Sequence, residues 1–248
     1  MRSDWCSRTT LLLGDDGLKR LENSSVAVIG VGGVGSHAAE ALARAGIGRL
    51  MLLDSDLIQP SNINRQLHAT VATVGQAKVE VMAGRIKEIN PDCEVIAHNV
   101  RLDADNLQPL LASGFDLIVD AIDSFAAKKA LIVWCVQSGI PVISSMGAAG
   151  RLDPSSVRVA DISKSQGCRL ARKLRKELKK EGISKGVMVA YSDEPSTSAV
   201  LGEVEEGDDS RRPIGSISYM PAVFGFFLAS VAIRLLVSPV EKKIFGSS

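Results

Sequence analysis

The stretch that most constrains this chain is an apolar, β-prone run, Val26-Ala27-Val28-Ile29, that enters Gly30-Val31-Gly32-Gly33-Val34-Gly35 and then turns helical from Ser36 to Leu42. Strand, glycine turn and helix in that order demand a sharp bend with bare backbone. Gly30 permits the bend, Gly32 lets the backbone approach a phosphate, and Gly35 lets the helix pack on the strand. The helix N-terminus offers unpaired N–H groups to an anion. A second run, Leu50-Met51-Leu52-Leu53, ends in Asp54, a carboxylate placed to accept the hydroxyls of a ribose. The arrangement predicts a bound nucleotide, against the plainer reading of a Gly-rich turn in an α/β domain.

The same rhythm continues. Strand-like runs fall at 26–30, 50–54, 94–98, 117–121 and 141–145, with helical patterns at 34–46, 75–90, 104–112 and 124–138. The pattern at 75–90 stops at Asn90-Pro91, where proline cannot continue a helix. This βαβ alternation predicts an α/β fold, Rossmann-like and doubly wound, with a mainly parallel sheet. Shorter strand pieces at 157–160 and 187–191 flank a basic helix and extend the sheet with mixed or antiparallel strands. Residues 193–216 are rich in Glu, Asp, Ser, Gly and Pro and read as an exposed loop. With no internal repeat or linker, one domain is expected over residues 1–248, its nucleotide-binding core at about 20–150 and a C-terminal part from about 151 to 248.

Composition narrows the function classes. A chain of 248 residues, 46% of them hydrophobic, buries a full core without staples. Its 29 basic and 28 acidic residues leave a formal charge of +1, so any polyanion site must be local. Cys6, Cys93, Cys135 and Cys168 are scattered without a CxxC pair, so no zinc is expected and the usage suits a reducing cytoplasm. Met1 to Trp5 hold no apolar run of the kind that opens a secretory signal. Pro221 to Val237 is apolar but interrupted at Arg234, so it predicts a buried terminal helix rather than a stable membrane span; a peripheral membrane contact is the alternative.

Polar residues crowd the connection after Asp54. Asp54-Ser55-Asp56, then Ser61-Asn62-Ile63-Asn64-Arg65-Gln66, then Gln76-Ala77-Lys78 are too dense for a plain connector. Asp54 and Asp56 can serve a ribose and, directly or through water, a magnesium ion. Arg65 and Lys78 supply positive charge for phosphate oxygens. Asp120 and Asp123, with Ser124, lie at the carboxyl end of a strand, where open α/β sheets bind ligands. Taken alone, Arg65 or Lys78 reads as a solvated charge, and Asp123 as the cap of the helix that follows.

Together, GxGGxG, Asp-x-Asp, Asn-x-x-Arg-Gln, Gly-Gln-x-Lys and Asp-x-x-Asp occur here in the order seen in the ubiquitin-activating E1-like superfamily, and the chain resembles that superfamily from about Arg8 to Ala160. The resemblance implies activation of a carboxylate by ATP with Mg²⁺. By that likeness Gly30, Gly32, Gly33 and Gly35 line the phosphates, Asp54 holds the ribose, Asn62, Arg65 and Lys78 contact the triphosphate, and Asp123 ligates magnesium. Asp56, Gln66, Asp120 and Ser124 complete the nucleotide site. Arg8, in Arg-Thr-Thr-Leu-Leu-Leu-Gly, matches an arginine that acts on the partner subunit, which implies a homodimer formed partly by the C-terminal region. Arg8, Arg65, Lys78 and Asp123 are the implied catalytic residues.

Finer matches resemble the branch that dehydrates threonylcarbamoyladenosine in tRNA: Ser7 to Gly14, Asn62 to Thr70, Val119 to Asp123, Ser145 to Pro154 and Val157 to Leu178. That branch implies tRNA as substrate, intramolecular ring closure on the activated carboxylate, and a sulfur-relay protein as a further partner. The residues support an RNA partner independently. Arg169, Arg172, Lys173, Arg175, Lys176, Lys179 and Lys180 surround Leu170, Leu174 and Leu178, giving a helix with one leucine stripe and a broad basic face. A solvated amphipathic helix is the plainer reading. His68 is a base for ring closure or a packed core residue. Three other function classes stay open: an adenylyltransferase acting on a sulfur-carrier protein, a non-catalytic nucleotide-binding protein, and an NAD-dependent oxidoreductase.

Overall fold

A strand covered on both faces reads as a nearly continuous apolar run, and β1 (Ser25–Ile29) and β2 (Arg49–Leu53) are of this kind after their first residue. The computed structural model describes residues 4–103, 105–112, 114–195 and 215–238. In it β1 and β2 join β3 (Glu94–His98), β4 (Leu117–Asp120), β5 (Val142–Ser145), β6 (Val157–Asp161) and β7 (Met188–Ser192) in one sheet of order β3-β2-β1-β4-β5-β7-β6. Neighbours are parallel throughout except β6 and β7, which run antiparallel. This is the predicted doubly wound, mainly parallel sheet with an antiparallel edge.

Alternation along the strands sorts two cores. Val26, Val28, Leu50 and Leu52 face helices α1 (Ser7–Glu22), α2 (Gly35–Ala45), α3 (Lys78–Ile89) and α7 (Tyr219–Val237). Ala27, Ile29, Met51 and Leu53 face α4 (Leu107–Leu111), α5 (Phe125–Gln137) and α6 (Arg169–Lys180).

Several boundaries depart from the sequence expectation. The periodicity gave no helix before β1, yet α1 is there; Gly14, at φ 72° and ψ 170°, breaks it into two pieces and hides its period. The helix expected at 75–90 opens only at Lys78, because Ala77 pairs with Leu57 in an antiparallel bridge. The pattern at 104–112 yields α4 alone. The acidic run Glu203 to Asp209 lies outside the described residues.

The terminal helix begins two residues earlier than Pro221. At 19 residues α7 is long and apolar enough to cross a bilayer by length alone, but here it buries Met220, Phe224, Leu228 and Ala232 against the sheet and α2. Gly225 allows that approach: a Cβ there would lie 2.5 Å from the Val34 carbonyl oxygen and 2.9 Å from Cβ of His37. Gly225→Ala should therefore cost about 1–3 kcal/mol by forcing the two helices apart. Gly84→Ala, on the exposed face of α3 with nothing within 4 Å, should be neutral or gain up to about 1 kcal/mol. Urea unfolding of both variants checks the contrast; equal stabilities would refute the close α2–α7 packing.

Candidate nucleotide site and basic face

Strand order reverses between β1 and β4, so the chain leaves their carboxyl ends toward opposite faces and opens a crevice. The glycine turn lines it. Gly30 has φ 88°, and a Cβ there would lie 2.7 Å from the Ala121 carbonyl oxygen; a Cβ on Gly35 would overlap the carbonyl oxygen of Gly30. Those two glycines close the turn onto the start of the β4–α5 connection. Gly33 lies beneath Pro221, 3.0 Å from where its Cβ would be, and beside the Arg65 side chain. Gly32 differs: the nearest atom to its Cβ position is the Gln66 Nε2 at 3.8 Å, so the backbone there lies open.

Asp54 closes one wall. Its Oδ2 accepts the Val31 N–H at 2.7 Å and its Oδ1 accepts the Asp56 N–H at 2.9 Å, which leaves each oxygen a further lone pair. Burial raises its pKa, with Lys78 opposing. The buried Lys78 ammonium lies 2.6 Å from Asp56 and 3.9 Å from Asp54. Asn62 is buried, and its Oδ1 accepts the Gln59 N–H at 3.0 Å, so its amide N–H₂ is the end left for a ligand. Arg65 donates to the Ser61 carbonyl and to Asn64 Oδ1. Gln66 is buried with its Oε1 unpartnered among the described residues.

Asp120 corrects the sequence reading. It is fully enclosed: Oδ2 meets Lys128 Nζ at 2.7 Å and Ser144 Oγ at 2.5 Å, and Oδ1 accepts the Ile122 N–H at 3.0 Å. No face of that carboxylate is left for a nucleotide. Asp123 is the opposite case, exposed and without a partner among the described residues, while Ser124 takes the N-cap position of α5. The capping alternative for Asp123 therefore falls. Lys128 went unread because α5 carries apolar residues around its whole circumference and shows no polar face; its one signal is a lysine pair inside that run. The strap from Ser216 to Pro221 was also missed: the Ser216 carbonyl accepts from Asn64 Nδ2 and Tyr219 Oη donates to the Leu152 carbonyl.

The cysteines offer no nucleophile in this crevice. All four are buried and free, and burial lifts the Cys93 thiol to about 11 and that of Cys135 to about 12.

Arg8 is exposed on the first half of α1. Its neighbour Cys6 packs at Gly46, the C-cap of α2, whereas the glycine turn opens the other end of that 11-residue helix, about 16 Å away. Arg8 thus lies far from its own chain's crevice, beside Leu11 and Leu12, which are 79% and 83% exposed.

On α6 the structure divides the basic residues. Arg175 turns inward, its Nη1 donating to the Ile162 and Ser165 carbonyls and to Ser165 Oγ. Lys173 sits 4.2 Å over the Phe125 ring, and Lys180 pairs with Glu177 at 2.7 Å. These three leave the open basic surface to Arg169, Arg172, Lys176 and Lys179. The buried stripe is Ala171, Leu174 and Leu178, with Leu170 only half-buried. Because Phe125 directly follows Ser124, the basic helix lies next to the Asp123 corner of the crevice.

His68 is 3% exposed with neither ring nitrogen partnered among the described residues. Burial, then Lys78 and His37, pushes its pKa down to about 4, so the ring is neutral at pH 7. Unfolded His titrates near 6.5, so between about pH 6.5 and 4 the unfolded chain binds the extra proton and stability falls as pH falls. The loss should reach about 3 kcal/mol at pH 4 and be absent in His68→Phe. Denaturation across that range tests it; parallel curves for the two proteins would refute the buried neutral ring.

Known proteins resemble this chain in sequence and fold. The chain is 44% identical over 245 residues to a Bacillus subtilis protein named tRNA threonylcarbamoyladenosine dehydratase, covering 96% of both. A protein of the same name from Escherichia coli is 36% identical, covering 95% of this chain and 94% of its own. The solved structure of the E. coli dehydratase TcdA in complex with ATP superposes with a TM-score of 0.85 at 37% identity, over 93% of this chain and 92% of that one. The sequence pattern of the ThiF family matches residues 6–246, and the chain belongs to the ThiF family.

Proposed function

We propose that this protein is an ATP-dependent dehydratase of tRNA, which activates the carboxylate of N6-threonylcarbamoyladenosine at position 37 and closes that group into a ring with net loss of water. The observation that carries the reading is an open glycine turn packed against the β4–α5 connection that carries the unpaired Asp123 carboxylate, in a chain that matches the Bacillus subtilis enzyme along 96% of both lengths. ATP fits the crevice by its donor set. The bare backbone at Gly32 and the N-terminus of α2 suit phosphates, the spare lone pairs of Asp54 suit ribose hydroxyls, and the orphaned Gln66 Oε1 lacks only a donor.

Asp123 fits magnesium as a single carboxylate, since Mg²⁺ takes few protein ligands and fills its shell with water and phosphate oxygens. When bound, the nucleotide and its metal ion supply the leaving group that carries away a carboxylate oxygen. This chain's residues do the rest. Lys78, held near Asp54 and Asp56, and Arg65, beside Gly33, neutralise charge building on the phosphates. The ring-closing nitrogen belongs to the same substrate, so the site need only orient it and exclude water, and no thiol is required. Arg8 completes the phosphate site of a second copy, with Leu11 and Leu12 beside it covered in the homodimer. The chain works as one unit in the cytoplasm, residues about 20–150 holding nucleotide and residues from about 151 onward meeting tRNA and partner.

The test is incubation with ATP, magnesium and tRNA carrying threonylcarbamoyladenosine, followed by nucleoside mass analysis under conditions that preserve the cyclic form. Loss of one water that depends on ATP is expected, and Asp123→Ala should cut it by at least about 100-fold while keeping the melting temperature. No mass change in protein that binds ATP would refute the reading and point to a carrier-protein substrate.

Replacing Arg169, Arg172, Lys176 and Lys179 by Gln should weaken tRNA binding, lower the slope of log affinity against log salt by about 3, and leave ATP binding intact. An unchanged tRNA affinity would make α6 a solvated helix.

A further inference from the structure

One buried charge in this molecule has no part in the nucleotide site as read from the sequence. Lys128, on the first turns of α5, is 1% exposed and spends all three of its N–H donors inside the protein: on Asp120 Oδ2 at 2.7 Å, on Ser144 Oγ at 3.3 Å and on the Ser145 carbonyl at 3.0 Å. Ser144 in turn donates to Asp120 Oδ2, and Asp120 Oδ1 receives the Ile122 N–H at 3.0 Å. All three donors of the ammonium and both oxygens of Asp120 are thus hydrogen-bonded within the protein.

A buried ion pair is weak support for stability by itself, because desolvation of two charges consumes most of their attraction and an apolar pair of the same volume often does as well. What distinguishes this one is where its bonds end. The Ile122 amide belongs to the residue before Asp123, and Ala121, between Asp120 and Ile122, is pressed on by the glycine turn at Gly30. The Ser145 carbonyl closes β5, immediately before the Met146-Gly147 segment that Arg151 fastens through the Gly147 carbonyl. One ammonium therefore joins the carboxyl ends of β4 and β5 to the start of α5, the junction from which Asp123 projects.

We propose that Lys128 is a positioning residue: through Asp120 and the Ile122 amide it holds the turn that aims Asp123 at the metal–nucleotide complex. The proposal rests on the nucleotide site described above and adds to it a residue that touches no ligand. Groups that orient a metal-binding side chain from behind typically change metal affinity or activity by about 10- to 100-fold when removed.

The experiment uses the full chain as Lys128→Met, as Lys128→Arg, and as the charge-free pair Asp120→Asn with Lys128→Met, which removes both buried charges at once. Two measurements need no tRNA and no turnover. ATP affinity is titrated by calorimetry with and without magnesium, and amide hydrogen exchange is followed in the ligand-free protein over the peptide holding Ile122 and Asp123, against the β1 peptide as internal standard. The expected result is a loss of about 10- to 100-fold in the magnesium-dependent gain of ATP affinity. Metal-free ATP binding should stay near wild type, exchange should quicken at Ile122–Asp123 alone, and Lys128→Arg should restore most of both. A folded Met variant with wild-type magnesium dependence and wild-type exchange would overturn the proposal. So would loss of folding in both Met variants, since the pair would then serve the fold alone. Wild-type protein that binds magnesium and ATP but leaves tRNA unchanged would sink the dehydratase reading without touching this one.

Discussion

Everything functional in this molecule depends on how closely two stretches of backbone meet where the strand order reverses. Gly35 presses on the Gly30 carbonyl, and Gly30 on the Ala121 carbonyl, so the first turn of α2 and the exit of β4 share one contact zone. Any side chain at those positions would separate them. The contact joins a helix N-terminus suited to anions to the connection that carries the free carboxylate of Asp123, the pairing on which the proposed ATP site rests.

Charge in the crevice is arranged in two layers. The inner layer is neutralised in advance: Lys128 with Asp120 below the floor, and Lys78 between Asp54 and Asp56 at the wall. His68 adds no charge, because burial holds its ring neutral. The outer layer, Asp123 and the open side of α6, is unpaired and faces solvent. Of the paired charges, Lys128 and Asp120 are committed to holding the loops in place, while Lys78 and Asp54 also serve the proposed nucleotide.

Much of this was legible from residue order. β1, β2 and β4 announce themselves as short apolar runs ending in glycine or acid, and a sheet with both faces covered leaves no other reading of such runs. The glycine turn follows because its role is a backbone role, which spacing encodes. What spacing does not encode is the direction of a side chain. Asp120 and Asp123 look equivalent in sequence, yet one points into the sheet toward Lys128 and the other out of it. Arg175 looks like its basic neighbours, yet its guanidinium closes a turn at Ser165. α1 was hidden for a different reason: Gly14 shifts the helical phase, so neither half is long enough to show a period by itself.

The strap and helix at the end of the described chain have a consequence for the order in which this protein can come into being. β7 lies between β5 and β6 in the sheet, and α7 covers the first core and sets Pro221 over Gly33. A nascent chain that has reached residue 150 owns every glycine and acid of the nucleotide crevice but lacks the strand and helix that cover them. The crevice is therefore completed only when residues 219–237 have left the ribosome and docked, well after the residues that line it.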